Sequence, residues 1–444
     1  GMAANIWASA MRNNPISVPV MYSNGYVPAY GSENDQLNPW VAATQTGYQE
    51  TWNNKLQANA TLEQSLNFIT KGLKFIGRYG FDTNNYQWIN RKKFPEMWRA
   101  EQNRASDGSL VMKKIKDEQL MTQESSSNGN RKEYLEAELH YDRTFGDHIV
   151  GAVFKYSQDK TIDTSQNGND IMQGIDKRHQ GLAGRFTYGW KYRYFFDFNF
   201  GYNGSENFAR GHRFGFFPAA AIGWMMSNEK WFEPITNTVD MLKLKASYGK
   251  VGNDDIGGQR RWVYESSIVT GGNWQYGQSA NQGGDGIRIG EVENLNASWE
   301  EALKLNVGIE FSLFNKVKVQ ADYFREERTG IFLQRAGLPA IVGISTIPYV
   351  NIGETLNQGF DSNIEYSQKI GNVYVTARGN FTYNRNKLKN NDEPDWEYKY
   401  QNRIGKPFGS GGSMQPFGLV ALGLFQSQEE IDNSPVQSFG EYRV

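Results

Sequence analysis

Cysteine is absent from the 444 residues, so the chain has neither a disulfide framework nor a thiolate metal site. Histidine occurs four times, as His140, His148, His179 and His212, and no two stand at a His-x-x-x-His or comparable ligand spacing. A surplus of charge is missing too. The 47 basic side chains stand against 48 acidic ones, a balance that offers nucleic-acid phosphates nothing to hold. Long apolar runs are lacking: mean hydropathy is -0.65, and no stretch approaches the roughly 20 apolar residues of a spanning helix. A membrane strand asks for far less, about 9–11 residues with every second one apolar, so low hydropathy leaves a strand-built membrane protein open. The opening Gly1-Met2-Ala3-Ala4-Asn5-Ile6 lacks the basic start and apolar centre of a signal peptide, and Gly1 reads as an artificial or internal beginning. The end, from Ser438 to Val444, is a polar stretch and not the close of an amphipathic strand.

What the chain has in quantity is aromatic residues and glycine, with 26 Phe, 24 Tyr, 12 Trp and 47 Gly. Its dominant pattern is period-2 alternation, which puts successive side chains on opposite faces of a strand. Leu56, Ala58, Ala60 and Leu62 alternate with Gln57, Asn59, Thr61 and Glu63, and Leu73, Phe75, Gly77, Tyr79 and Phe81 continue the apolar face. The same reading places strands around 135–142, 150–156, 182–188, 194–202, 218–224, 242–248, 303–311, 317–323, 360–366 and 373–383, about twelve in all. The opposite face is charged along its length, carrying Glu63, Arg78, Glu136, Glu138, Arg185, Asp197, Lys243, Lys245, Lys318, Asp322, Glu365 and Arg378. A sandwich that buried this face would strand charges in a core, whereas a broad hydrated lumen would not.

Connections sort by length. Short turns fall near Lys71-Gly72, Phe145-Gly146-Asp147, Trp190-Lys191, Phe314-Asn315 and Lys369-Ile370-Gly371, with a longer link from Ser227 to Val239. Long polar connections cover about 83–130, 158–177, 250–298 and 326–357. This alternation puts all turns at one end and all loops at the other, as in an outer-membrane barrel. Strands running towards the long loops end in aromatics on the apolar face: Tyr79, Phe81, Phe154, Tyr156, Phe200, Tyr202, Tyr248, Tyr323, Phe381 and Tyr383. Side by side they would make a girdle at the lipid boundary, although Phe and Tyr are also good strand formers anywhere. The expected fold is therefore all-β, an antiparallel transmembrane β-barrel in part, with long external loops.

Several stretches resemble the SusC/RagA branch of TonB-dependent outer-membrane transporters. Phe216-Phe217-Pro218-Ala219-Ala220-Ala221-Ile222-Gly223-Trp224 is similar to that family's FPA…GW strand, and Leu242 to Asn253 to its LKL-x-ASYG-x-VGN motif. Asn294-Leu295-Asn296-Ala297-Ser298-Trp299-Glu300 resembles its NLxWE element. Tyr349 to Glu354 with Asn357-Gln358-Gly359-Phe360 resembles NxGExxNxGxE, with Asp361 where Glu is usual. The resemblance implies residues 1–444 as the central portion of a barrel of about 22 strands, its plug domain and C-terminal strands lying outside this chain. It also implies a SusD-like surface lipoprotein over the mouth, energy delivered by TonB through the plug, outer-membrane lipid around the wall, and import of nutrients, glycans before peptides. The rival readings are a soluble all-β carbohydrate-binding module and an outer-membrane β-barrel enzyme such as a lipase.

For ligand contact the leading candidates are Trp262, Trp274, Tyr276, Trp88 and Trp98, with Trp40, Trp52 and Trp396 behind them. All are assigned to the long loops, where flat aromatic faces suit stacking on sugar rings; the plainer role is packing the loops or meeting the lipoprotein. Asn253-Asp254-Asp255 and Asp285 match no calcium-loop spacing, so solvated turns are expected and no metal site is assigned. Ser279, Ser410 and Ser413 lack the strand–turn–helix setting of a nucleophile elbow, and Gly271-Gly272 and Gly283-Gly284 lack the Lys-Ser/Thr of a phosphate loop. Glu136 and Glu138, two residues apart on one face, fit a polar lumen as well as they fit acid–base chemistry. No catalytic residue, cofactor or enzyme activity is expected.

Overall fold

The alternating segments form one antiparallel sheet of twelve strands in the computed structural model, each strand beside its neighbour in sequence. The structure describes the chain apart from residues 1–5, 9, 12–18, 30–38, 164–173, 258–259, 281, 345, 408–422, 435–437, 440–441 and 444. Ser410 and Ser413 fall outside the described residues, as do Gly1 to Asn5. The sheet comprises β1 (Gly47–Ser65), β2 (Leu73–Phe94), β3 (Gln119–Phe145), β4 (His148–Asp163), β5 (Lys177–Trp190) and β6 (Tyr194–Ser205), followed by β7 (Phe214–Met225), β8 (Val239–Asn253), β9 (Glu300–Leu313), β10 (Val317–Gln334), β11 (Tyr349–Ile370) and β12 (Val373–Asn390). Each of the twelve segments expected from alternation is one of these strands. β1 and β12 are the sheet's two edges.

The turns at the short end adopt the left-handed backbone that tight hairpins need. Gly146, Gly371, Lys191, Tyr192, Phe314 and Asn315 all have φ between 51° and 61°. The link from β7 to β8 is filled by two short 3-10 turns, Met226–Asn228 and Lys230–Ile235.

The long connections differ from expectation. β2 runs to Phe94 and β3 begins at Gln119, pairing through Lys92↔Thr122, so much of 83–130 is strand and not loop. β10 and β11 likewise extend to Gln334 and from Tyr349. Alternation disappears there because both faces meet water, but the backbone ladder needs only extended residues and continues. Above Phe81 the β2–β3 ribbon adds thirteen residues, roughly 40 Å of strand. Beyond it Met97–Arg104 pairs with Leu110–Lys116 on one side and with Val27–Pro28 on the other, closing a small apolar cluster of Val27, Ala29, Val41, Ala42 and Met97. Trp52 on β1 and Trp88 on β2 are thus strand residues, and Trp40 sits in the short helix Pro39–Thr44.

Register gives the sheet its tilt. The hydrogen-bonded row from His148, first residue of β4, passes through Trp190, Tyr194, Trp224, Leu244, Ile309, Ala321 and Ser362 to Phe381, eight residues past the first of β12. Eight residues over eight strand-to-strand steps is one residue per strand. At about 3.3 Å per residue and 4.8 Å between strands, that slant is roughly 35°, the tilt of a barrel wall.

The two faces have opposite chemistry. Leu56 and Leu62 are 59% and 64% exposed, and Phe154, Phe186, Phe216, Ile222, Val307, Phe360 and Ile364 stand exposed on the same face. On the other face the charges pair among themselves. Arg78 and Lys155 both engage Glu136, Arg78 lies 3.2 Å from Glu138, and His140 is 2.8 Å from Glu138. Arg185 Nε donates to Asp197 at 3.0 Å and Arg378 Nε to Glu365 at 2.8 Å, while Lys245 sits 3.0 Å from both Glu310 and Asp322. Gly308 makes the last triad possible, since a Cβ there would lie 2.1 Å from Asp322 Oδ1 and 2.5 Å from Lys245 Cε.

Gly308→Ala should therefore part Lys245 from Asp322 and cost roughly 1–3 kcal/mol, as overpacking does. Gly379→Ala, where a Cβ would meet nothing within 4 Å, should leave stability unchanged. Thermal unfolding in detergent checks the contrast; equal Tm values for the two variants would contradict the packing assigned to Gly308.

Candidate functional site: the extracellular rim and its loop cavity

The long loops are pinned to the strand ends by residues of the motifs noted above. Asn351 on β11 makes three bonds: its Oδ1 accepts from Ser298 N at 3.0 Å, and its Nδ2 donates to the Ser298 and Gly330 carbonyls at 2.8 Å each. Asn294 Nδ2 donates to Tyr349 O at 3.0 Å, and Trp299 Nε1 donates to Arg213 O at 3.1 Å. The Trp299 ring packs on Phe208 and edge-on to Phe217, with ring centroids 5.7 and 5.2 Å away. Phe208, Ile256, Val263 and Ala297 form a dry cluster beneath, with Trp299 and Phe332 against it. The family-like motifs thus serve as rim clamps that satisfy loop backbone groups where they cross the strand tops.

Between the β8–β9 loop and the tops of β10 and β11 lies a cavity of about 790 Å³. Trp262, Phe332 and Tyr349 supply its aromatic surface, and Arg261, Glu265 and Glu291 its charge. Phe332 and Tyr349 stack at 5.6 Å, and the Arg260 guanidinium lies over the Tyr349 ring at 3.8 Å while its Nε donates to Glu291 at 2.8 Å. Arg261 is nearly buried, pairs with Glu206, donates to Asp176 O at 3.0 Å, and covers one face of Trp262 at 4.4 Å. Trp262 has φ 48°, a left-handed backbone that a bulky residue holds only when its surroundings dictate it.

The five leading candidates divide. Trp262 lines the cavity; Trp274 and Tyr276, 74% and 62% exposed, project from the hairpin Ile268–Tyr276 and Gln282–Ile289 of the same loop. Trp88 stands on the β2–β3 ribbon opposite Thr51 and Ser126. Trp98 is occupied, stacked on Tyr26 at 4.4 Å with its Nε1 donating to Glu96 at 2.9 Å. The structure therefore joins Trp262 to a built cavity and assigns Trp98 to packing. Sequence reasoning missed Arg260, Arg261 and Tyr349, although two arginines directly before Trp262 were a signal.

Two carboxylates near the rim, Asp254 and Asp392, are held by neighbouring cationic or donor groups. Asp254 lies 3.5 Å from His179 Nε2, and that hydrogen bond holds its carboxyl below the usual range; Asp159 meets the other ring nitrogen at 3.5 Å. Among the described residues no cluster of three metal-ligating side chains occurs. Asp392 accepts from Arg335 Nε at 3.1 Å and from the Ala336 and Gly337 amides at 3.1 and 3.3 Å, chiefly through Arg335 holding its carboxyl low.

The family described as TonB dependent receptor-like, beta-barrel, matches residues 7–423. The chain belongs to that family. TonB-dependent receptor P3 of Formosa agariphila is 29% identical over 280 residues, covering 58% of this chain and 27% of that protein. TonB-dependent receptor SusC of Bacteroides thetaiotaomicron is 26% identical over 260 residues, covering 56% of this chain and 25% of that protein. The solved RagAB peptide importer in its closed-closed state aligns at TM-score 0.66 and 18% identity, over 87% of this chain and 43% of that one, a shared fold. The chain thus spans well under half the length of these relatives. It is a TonB-dependent receptor barrel of the outer membrane, similar in sequence to SusC and in fold to RagAB, and its exposed Leu56/Leu62 face is the apolar one that such a barrel turns to lipid.

Two outcomes test the rim. In the receptor barrel Asn351→Ala removes three bonds, so cleavage within 254–298 under limiting protease should rise about tenfold or more, while unchanged cleavage would remove Asn351 from the clamp. Because the Asp392 carboxyl is depressed in the folded state, its contribution is present above its unfolded value of about 4 and is lost as pH falls through the lower folded value. Amide exchange at Ala336 and Gly337 should accordingly accelerate below about pH 4, and Asp392→Asn should abolish that step.

Proposed function

We propose that this chain is the wall and loop platform of a TonB-dependent importer of the outer membrane, taking up oligosaccharides. The carrying observation is the segregation of faces: exposed apolar residues on one side and a network of paired charges on the other. A soluble carbohydrate-binding module has no use for the first, and a β-barrel lipase would need a Ser–His pair at the lipid boundary. There His148 instead bonds the Tyr188 hydroxyl at 2.7 Å. Among the described residues β1 and β12 are the sheet's two edges, and because hydrocarbon does not tolerate unpaired backbone groups these edges are paired in the working barrel. Plug, TonB and a SusD-like lid act on that larger assembly, with the lid meeting the loops and the plug meeting the charged lumen.

Support for a sugar substrate comes from the cavity. Trp262, Phe332 and Tyr349 line it beside charged and amide groups, the mixture that holds a ring carrying hydroxyls. A peptide is the second reading, favoured by the likeness to RagAB. In the full-length receptor, Trp262→Ala should weaken oligosaccharide binding about tenfold with no change in heat stability. Calorimetry against oligosaccharides and against mixed peptides decides the class; binding of peptides alone, weakened by the same substitution, would transfer the site to peptides.

A further inference from the structure

The β8–β9 loop, which carries Trp262, is tied to the wall at its root by two charge links. Arg261 supplies one, pairing with Glu206 and donating to the Asp176 carbonyl at 3.0 Å. Asp254 supplies the other, 3.5 Å from His179 Nε2. Between them Ile256 and Val263 are buried with Phe208 and Ala297, so the root is anchored by apolar contact as well.

Register places His179. It stands on the lumen face of β5, directly opposite Asp159 of β4 and Ser205 of β6, and its Nδ1 lies 3.5 Å from Asp159. The half-buried ring thus has a carboxylate at each nitrogen, one from the wall and one from the loop. A carboxylate only accepts, whereas a neutral imidazole has one donor nitrogen and one acceptor nitrogen. The neutral ring therefore serves one of these carboxylates and turns a lone pair towards the other. Only the imidazolium, with two donors, serves both.

The other charges near the ring do not take its place. On β3, Lys132 reaches Asp159 at 3.9 Å, and Tyr134, opposite Asp159, gives its hydroxyl to Glu136. Glu206, beside Ser205, is paired with Arg261, and Arg213 donates to the Phe208 carbonyl and the Tyr264 hydroxyl. Across the wall, on its outer face, Glu133 pairs with Arg131, while Lys160 and Arg178 share Asp176. Those charges put this level of the wall outside hydrocarbon. From the loop, Arg260 pairs with Glu291 and Asp255 accepts from the Gly257 amide at 2.9 Å. Among the described residues Asp254 forms an ion pair with His179 and with no other cation, the neighbouring Lys177 included.

We infer that His179 is a proton-operated latch on the β8–β9 loop: protonated, it joins Asp254 of the loop root to Asp159 of the wall, and on losing its proton it loosens the root. The hydrogen bond to Asp254, with the charge of Asp159 behind it, holds the imidazole above its ordinary value of 6.5. The latch is therefore complete below about pH 6.5 and is lost as pH rises through the higher folded value. The Arg261–Glu206 link stays charged throughout that window, so the root loosens at the Asp254 end and stays tied at the other. The latch governs how firmly the loop is held and does not depend on the ligand class that the cavity takes.

The test is amide hydrogen exchange in the full-length receptor in detergent, from about pH 5.5 to about pH 9, with rates divided by the intrinsic chemical rate. Protection of residues 254–257 should fall about fivefold across that range, the scale of a partly exposed ion pair. Strands β9 and β10 should keep their protection, which also shows that each variant is folded. His179→Gln should give the lower protection at every pH. Asp254→Asn, which leaves one carboxylate for one donor, should remove the pH step. A step of the parent's size in either variant, protection that rises with pH in the parent, or a step shared by β9 and β10 would each overturn the latch.

Discussion

A backbone that enters hydrocarbon must pair every N–H and C=O within the protein, and the rest of this structure follows from that demand. Strands meet it by bonding sideways, which frees both faces of the sheet to differ in chemistry. One face is then fixed by lipid and the other by water. The slant of one residue per strand is the geometric consequence, since a wall that curls towards closure must stagger its strands. It also explains why aromatics expected at one height sit at different distances from their turns: the membrane boundary crosses each strand at a shifted residue.

The lumen face shows how charge survives on such a wall. Glu136 is 4% exposed, yet Arg78, Lys155 and the Tyr134 hydroxyl surround it, so burial is compensated by partners on β2, β3 and β4. These pairs are short-range along the ladder, formed between directly opposed or diagonal residues. They could form only once register was set, and a slip of one residue would turn Glu136 into lipid. Register on this wall is thus enforced twice, by grease on one side and by charge pairing on the other.

Alternation made all twelve wall strands legible, because burial in lipid writes a period of two directly into the side chains. It failed where the environment stopped being two-faced. The β2–β3 ribbon from Thr83 to Lys92 is strand without alternation, since water lies on both sides and the sequence has no reason to segregate. A second aromatic cluster was equally hidden: Trp190, Tyr194 and Trp224 gather at the short-turn end because they are directly opposed on neighbouring strands, and Trp231 joins them from the following 3-10 turn. There the Tyr194 hydroxyl donates to Glu229 at 2.6 Å and Trp224 Nε1 donates to the same oxygen at 3.2 Å, which anchors the polar edges of the rings to the turn. Aromatic content alone did not distinguish Trp262, which lines the loop cavity, from Trp98, whose ring is stacked on Tyr26 from the other end of the sequence's first hundred residues.

The family-like motifs and the loop cavity meet at the rim, where Asn294 and Tyr349 belong to both. Asn351, Asn294 and Trp299 carry the family-like pattern, and all three spend their hydrogen bonds on backbone groups at the rim. A clamp of this kind fixes where a loop leaves the wall while leaving the far part of the loop free to change. Trp274 and Tyr276 lie on that far part, with their side chains unconstrained by any ring contact among the described residues. Arg260, Arg261 and Trp262 sit between the two regions, tied to Glu291, Glu206 and the Tyr349 ring, so the cavity's floor is held rigidly at the level of the rim. Residues of the hairpin above can then change while the mouth keeps its shape, the arrangement expected when a rigid wall carries variable loops.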